Sequence, residues 1–235
     1  MNESVFYLPE VDSTNLWAKH NLDKFGPIGA VYTTHQTAGR GRLGRSWLDA
    51  PHKGLYYTAV IRTDLVQPAT LPLFASLAVC DALRERYRID CQIKWPNDLL
   101  LNGKKIVGIL CEVGPDGHSI VVGIGINLNT EIFPEELSEK AGSLGCRPDR
   151  SILAAEIASR LHAFAREPWK RTFMQEYTRR SMVLGRRVVL DCWGARTEGV
   201  AVGFDENGGL FLDTGKGEPE LFTGGEISLR LSGKE

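Results

Sequence analysis

Apolar and polar residues change their spacing several times along the chain, and each change marks an element. Asp12 or Ser13 can cap a helix carrying Leu16, Trp17 and Leu22, which the glycines and proline of FGPIG then end. AVYTTH and GLYYTAVIR have the β-branched and aromatic content of strands, whereas Leu71 to Tyr87 repeats apolar residues at the spacing of a core helix. CQIKW returns to strand and WPND turns. LLLNGKKIVGILCEV then reads as a hairpin whose Asn102-Gly103 pair suits a type I′ connection. After a PDGH turn, SIVVGIGINLN is apolar on both faces, as a central strand is. Two helices are predicted beyond it, from about Ser151 to Arg166 and from Pro168 to Arg180.

Near Leu184 the texture shifts to RRVVLDCW, TEGVAVGFD, GLFLDT and ELFTGGEISLRL, four or five short strands separated by glycine turns. That pattern fits a barrel of about 50 residues, too small for a rich core of its own and so expected to dock on the larger part. The larger part is α+β, a mixed sheet with helices on one side. No internal repeat or low-complexity tract interrupts it.

Composition narrows the picture. With 235 residues, 28 basic against 29 acidic side chains and 43% hydrophobic residues, the chain is a globular protein with one main domain and a small appendage. MNESVFYLPE lacks the basic start and apolar run of a signal peptide, and no stretch approaches a membrane span, so a cytoplasmic protein with no membrane partner is expected. Cys80, Cys91, Cys111, Cys146 and Cys192 are odd in number and scattered, which reads as buried thiols rather than disulfides or a zinc site.

Against a net charge near zero, the density of Arg40, Arg42 and Arg45 in TAGRGRLGRSW stands out. A glycine-rich loop lies close to an anion because its N–H groups are unobstructed, and guanidinium forks bind phosphate or carboxylate oxygens in pairs. A solvated basic loop or an RGG-like nucleic-acid segment is the alternative, but the motif occurs once, between two predicted strands. Such a loop repels itself and is expected to order only when an anion arrives, closing as a lid. A second cluster, Lys94, Asn97 and Asp98, surrounds the proline turn, with oxygens suited to Mg²⁺ and an ammonium suited to a phosphate; a plain Asx turn accounts for it equally. Lys105 follows the hairpin turn and could equally be a solubilising edge charge. GIGIN lacks the third glycine and the following helix of a dinucleotide fingerprint. Instead, Gly123 and Gly125 clear one face of a strand so that a flat ligand can approach. Asn127 could bond that ligand or simply end the strand.

Taken together, DSTN at 12–15, Gln36, GRGRLGRSW at 39–47, KWPND at 94–98, GKKIVGIL at 103–110 and GIGIN at 123–127 resemble, in order and spacing, the biotin protein ligases, also called biotin–acetyl-CoA-carboxylase ligases. The resemblance implies a catalytic domain related to class II aminoacyl-tRNA synthetases over residues 1–183, followed by an SH3-like domain over 184–235. It implies ATP and biotin as substrates with Mg²⁺: biotin becomes biotinyl-5′-AMP and is then passed to a lysine of a biotin carboxyl carrier protein or domain. Some members carry an amino-terminal DNA-binding repressor module. DSTN at residue 12 leaves no room for one, so no DNA partner is expected. An exposed sheet edge could pair two subunits as a homodimer or receive the carrier.

By the same resemblance, Ser13, Thr14, Asn15 and Gln36 would meet the ureido ring of biotin. Gly39, Arg40, Gly41 and Arg42 would close over biotin and the adenylate, with Arg42 reaching the carboxylate and α-phosphate. Lys105 would bond the biotin carboxylate or the bridging oxygen, and Gly108 and Gly125 would leave room for the thiophane ring. Lys94 and Arg45 would meet ATP phosphates, Trp47 would pack beside the adenine, and Asn127 would complete the ATP site. Asn97 and Asp98 would hold Mg²⁺. Arg42, Lys105, Lys94 and Asp98 are the implied catalytic groups.

Overall fold

Short apolar runs build the sheet of the computed structural model, which describes residues 5–62, 64, 66, 68–166 and 172–229. The strands are β1 (Val5–Leu8), β2 (Ile28–Thr33), β3 (Gly54–Arg62), β4 (Gln92–Lys94), β5 (Asp98–Leu101), β6 (Lys104–Val113) and β7 (Ser119–Asn127). Their order is β1-β2-β3-β7-β6-β5-β4. β1 runs parallel to β2 and every other pair is antiparallel, so the sheet is mixed as expected. β7 is central, in register with β3 from Gly54↔Asn127 to Arg62↔Ser119, which accounts for a run apolar on both faces. β1 was not anticipated, because four residues at the chain start carry too little periodicity to declare a strand. The predicted hairpin turn is present, with Asn102 and Gly103 both at positive φ (51° and 78°) as a type I′ turn requires.

The helices are α1 (Thr14–His20), α2 (Leu71–Tyr87), the four-residue α3 (Glu135–Ser138), α4 (Arg150–Arg166) and α5 (Phe173–Arg180). Residues 168–171 of the second predicted late helix lie outside the described residues. α2 and α4 cover one face of the sheet, burying Leu77, Leu83, Leu153 and Ile157 against Ala59, Ile61, Ile120 and Val122. The alternate strand positions, Val31, Val60 and Val121, point to the other face, where Ala18 of α1 and Phe25 cover them. The expectation of helices on one side is therefore corrected: apolar residues occupy both faces of the strands, so both need a cover, and α1 supplies the second. Among the described residues no helix is long and apolar enough to cross a membrane.

Beyond Val183 come β8 (Arg187–Cys192), β9 (Ala195–Phe204), β10 (Leu210–Asp213), β11 (Glu220–Phe222) and β12 (Glu226–Leu229), in the antiparallel order β11-β10-β9-β8-β12. This is the small carboxyl-terminal antiparallel unit anticipated above. Its inward residues Val188, Leu190, Leu210 and Ile227 belong to the same buried cluster as Leu73, Trp95 and Tyr177 of the larger part. Trp95 Nε1 donates to the Gly208 carbonyl at 2.8 Å, satisfying a buried donor across the junction. The small sheet thus borrows its core, as its size demands.

The α2–α4 layer is tied by the stacked rings of Phe74 and Phe164, with centroids 3.7 Å apart, and both meet Phe173 edge-on. Phe164→Ala removes the centre of this cluster and should lower unfolding free energy by about 3–5 kcal/mol. Urea denaturation checks this; a midpoint within error of the parent would show that the ring cluster is not part of the stabilising core.

Candidate active site

One cavity of about 960 Å³ opens on the α1 face of the sheet, roofed by the arginine loop and closed on one side by β12. Ser13, Thr14, Asn15, Gln36, Arg40, Gly41, Arg42, Arg45, Trp47, Lys94, Asn97, Asp98, Lys105, Gly108, Gly125 and Asn127 all line it. Gly39 does not. It forms the neck of the loop, where its carbonyl accepts from Trp47 N at 2.9 Å and an added Cβ would come within 2.7 Å of the Trp47 carbonyl.

The loop is a hairpin in its own right. Arg40 pairs with Ser46, Gly41 N donates to Arg45 O at 2.8 Å, and Leu43 and Gly44 sit at its tip with φ of 55° and 73°. Its like charges do not stand alone, which differs from the self-repelling loop expected above. Arg42 donates to Asn97 Oδ1 at 2.7 Å and to the Gly225 carbonyl at 2.9 Å. Arg45 forks onto both carboxylate oxygens of Glu226, and Arg40 lies 3.6 Å from Glu112. Each guanidinium thus has an acceptor within the protein. The Arg45 fork holds the Glu226 carboxyl below its ordinary range and raises Arg45 above its own.

A strand irregularity places the key lysine. In a regular strand, residues 105 and 108 would point to opposite faces. A bulge on β6 opposite Leu99/Leu100 inserts one residue, so Lys105 and Gly108 share the cavity face. Lys105 Nζ then lies 2.6 Å from Asp98 Oδ1 and 5.3 Å from the Trp47 ring centroid. Its backbone is clamped by Lys140 O and Gly142 N, each at 2.8 Å. Lys94 lies opposite Asp98 on β4 and is partly buried; burial pushes its ammonium below the ordinary value while the Asp98 charge opposes the shift.

The glycines on this face are cleared for protein side chains. A Cβ on Gly108 would come within 2.4 Å of the Trp47 ring, and one on Gly125 within 2.6 Å. A Cβ on Gly123 would meet Asn15 Oδ1 at 2.3 Å. Trp47 lies across the shelf that Gly108 and Gly125 were expected to leave open, because a flat apolar ring fits two adjoining glycines on neighbouring strands. Its Nε1 is buried without an acceptor. Asn127, expected at a ligand, donates to the Gly142 carbonyl at 2.9 Å and so anchors the segment that clamps Lys105. Asn97 is engaged at both ends, its Nδ2 donating to Ile109 O at 2.7 Å.

Ser13 occupies the position before α1 with extended backbone, yet its hydroxyl makes no capping bond. Thr14 N donates to Gln36 Oε1 at 2.8 Å, joining α1 to the loop's approach. Thr58, Glu112 and Glu226 partner these groups and were not anticipated; a lone acid in the apolar run ILCEV was the available signal for Glu112.

Comparison with known proteins identifies the family. The Biotin/lipoate A/B protein ligase family profile matches residues 5–129, and the Biotin protein ligase C terminal domain profile matches residues 183–230. A biotin–[acetyl-CoA-carboxylase] ligase of Paracoccus denitrificans is 31% identical over 248 residues, covering 93% of this chain and 100% of that protein. A bifunctional ligase/repressor of Bacillus subtilis is 30% identical over 238 residues, covering 95% of this chain and 73% of the relative. A structure of the biotin protein ligase from Aquifex aeolicus in complex with biotin and ATP aligns with a TM-score of 0.84 at 33% identity, covering 98% of this chain and 100% of that one. The chain belongs to the Biotin/lipoate A/B protein ligase family and, by both profiles and these relatives together, to its biotin protein ligases.

Gly125→Val should expel the Trp47 indole from its shelf, since the added Cβ would fall within 2.6 Å of the ring. A red-shifted tryptophan emission that is absent when Trp47→Phe is the background would report it; identical spectra with and without the valine would show that the indole sits elsewhere.

Proposed function

We propose that the chain activates biotin with ATP to biotinyl-5′-AMP and transfers biotin to a lysine of a biotin carboxyl carrier protein or domain. The observation that carries this reading is the Lys105 ammonium, held 2.6 Å from Asp98 in the same cavity as Arg42. A carboxylate and an α-phosphate must approach within bonding distance for adenylation, and both are anionic. Fixed cations on either side lower that barrier by several kcal/mol, about what one or two preorganised donors contribute.

Lys105 orients the biotin carboxylate, Arg42 meets the carboxylate and α-phosphate, and Lys94 and Arg45 take the remaining phosphates. Ser13, Thr14, Asn15 and Gln36 receive the ureido ring, and Trp47 supplies an apolar wall. Arg40 and Gly41 complete the roof. Mg²⁺ fits as an ion entering with ATP. Lys105 engages one Asp98 oxygen and Asn97 is engaged at both ends, which leaves Asp98 as the protein carboxylate and substrate phosphates as the other ligands. Among the described residues no group of three or more His, Cys, Asp or Glu is placed to hold a metal alone. The ion would neutralise phosphate charge.

The reading places this activity in the cytoplasm, where ATP is available and the five free thiols would stay reduced. Lipoate is the alternative acyl group within the wider family. The match to the Biotin protein ligase C terminal domain over residues 183–230 favours biotin. Mass spectrometry after incubation with biotin, ATP and Mg²⁺ should find bound biotinyl-AMP. Adduct formation only with lipoate would overturn the assignment.

Lys105→Ala should abolish biotin-dependent pyrophosphate exchange while leaving the far-ultraviolet dichroism unchanged; retention of the parent exchange rate would remove Lys105 from the reaction. Arg42→Gly severs the bonds to Asn97 and Gly225 and one anion fork, so biotinyl-AMP should escape about tenfold or more faster. A chase of labelled adenylate measures this, and equal release rates would count against it.

A further inference from the structure

Behind the cavity wall runs a chain of side-chain hydrogen bonds whose direction can be deduced from its two ends. At one end Asn15 Nδ2 lies 2.9 Å from Glu112 Oε2 and 3.3 Å from the Leu110 carbonyl. Both are acceptors only, which fixes the amide with its oxygen turned away from them. That oxygen, Asn15 Oδ1, is 2.7 Å from Thr58 Oγ1 and cannot donate, so the single Thr58 hydrogen must point to it. Thr58 is fully buried, and its other partner is Thr14 Oγ1 at 2.8 Å. With its own hydrogen committed, Thr58 accepts there, and the Thr14 hydrogen points inward.

At the other end Gln36 is fixed independently. The Thr14 backbone N–H donates to Gln36 Oε1 at 2.8 Å, so this oxygen is an acceptor. Thr14 Oγ1 and Gln36 Oε1 stand 3.1 Å apart. Of the two contacts competing for the Thr14 hydrogen, the one to Thr58 at 2.8 Å has the usual O–H···O length and the longer one does not. Two cavity-lining oxygens therefore present lone pairs side by side with no hydrogen between them. Such a pair calls for an N–H donor.

Glu112 controls this polarity. Its carboxylate is only 18% exposed and is balanced by Lys19 Nζ at 2.9 Å and Arg40 at 3.6 Å. Burial pushes the group up, but the hydrogen bonds from Asn15 and Lys19 and the Lys19 and Arg40 charges outweigh it and leave the group below its ordinary range, hence ionised at neutral pH. A charged acceptor holds the Asn15 amide more strongly than the long bond to Leu110 does.

We propose that Glu112 is a specificity-determining positioning residue, which acts through Asn15 and Thr58 to make Thr14 and Gln36 a paired acceptor for one ring N–H of the substrate. The inference rests on the biotin reading above, in which the ureido ring meets Thr14. Replacing the carboxylate by an amide lets Asn15 turn over. Its Nδ2 then donates to Thr58, Thr58 donates to Thr14, and the Thr14 hydroxyl becomes a donor.

Calorimetry on the full chain would compare biotin with two analogues, in each of which one ureido N–H is replaced by a ring oxygen. The parent should prefer biotin to one of the analogues by about tenfold or more. Glu112→Gln should narrow that ratio about fivefold, and Thr58→Val, which frees the Thr14 hydrogen directly, should narrow it similarly. The double variant should narrow it no further than Thr58→Val alone, because both act along one path. Glu112→Asp, which keeps the charge, should restore the parent ratio. An unchanged ratio in Glu112→Gln, or a double variant whose effect is the product of the single ones, would overturn the proposal while leaving the biotin reading intact. Should Glu112→Gln not fold, an unchanged ratio in Thr58→Val alone would overturn it equally. A parent that binds none of the three compounds would instead sink the biotin reading and this inference with it.

Discussion

Six cations line one cavity: Arg40, Arg42, Arg45, Lys94, Lys105 and Lys140. At an effective dielectric near 20, two like charges 4 Å apart cost about 4 kcal/mol, so the cluster requires fixed counter-charges. The chain supplies them from separate places. Asp98 on β5 takes Lys105, Glu112 on β6 takes Arg40, and Glu226 on β12 takes Arg45. Arg42 is met by an amide oxygen and a backbone carbonyl. Because these acceptors lie in the central sheet and in the small carboxyl-terminal unit, neutralising the site also joins the two parts. The shared apolar core around Trp95 and the Gly225–Glu226 contacts to the arginine loop are two sides of one junction.

Geometry on the sheet face is the second constraint. Gly108, Gly123 and Gly125 remove three side chains from neighbouring positions on β6 and β7, and Trp47 and Asn15 fill the space. The indole closes the hairpin against the sheet, and the asparagine closes α1 against it. Both closures bring polar or cationic groups to the cavity that loops alone would hold loosely. The bulge beside Leu100 completes the arrangement by turning Lys105 onto the same face.

Much of this was legible in the residues. Asn102-Gly103 announced its turn, the periodicity of 71–87 announced α2, and the glycine-spaced strands beyond Leu184 announced the small appended sheet. The residues expected at the site do converge on one cavity, Gly39 excepted. What stayed hidden depends on register and long-range pairing. A bulge is a relation between two strands, so neither LLLNG nor KKIVG betrays it alone. The position of α1 on the opposite face follows from which strand residues alternate toward it, and that needs the sheet order. Glu112, Thr58 and Glu226 are ordinary strand residues until the fold brings Asn15, Thr14 and Arg45 to them.

The pairing of the loop arginines changes how a ligand must work. An unpaired cationic loop would be drawn shut by any anion, whereas this hairpin already holds acceptors, and a substrate has to exchange with them. The exchange is not uniform. The side chains of Arg45 and Glu226 are 63% and 40% exposed, and a pair so open to solvent contributes about 0–1 kcal/mol, so an incoming anion would displace Glu226 at little cost. Arg42 bonds a carbonyl and an amide, neutral acceptors that a carboxylate or phosphate outcompetes through charge. Arg40 faces Glu112, which also holds Lys19 and Asn15, so releasing it leaves a carboxylate that still has two partners. Each arginine can thus leave its protein acceptor without stranding a buried charge, and this lets one loop serve as a preorganised roof and as a set of exchangeable anion ligands.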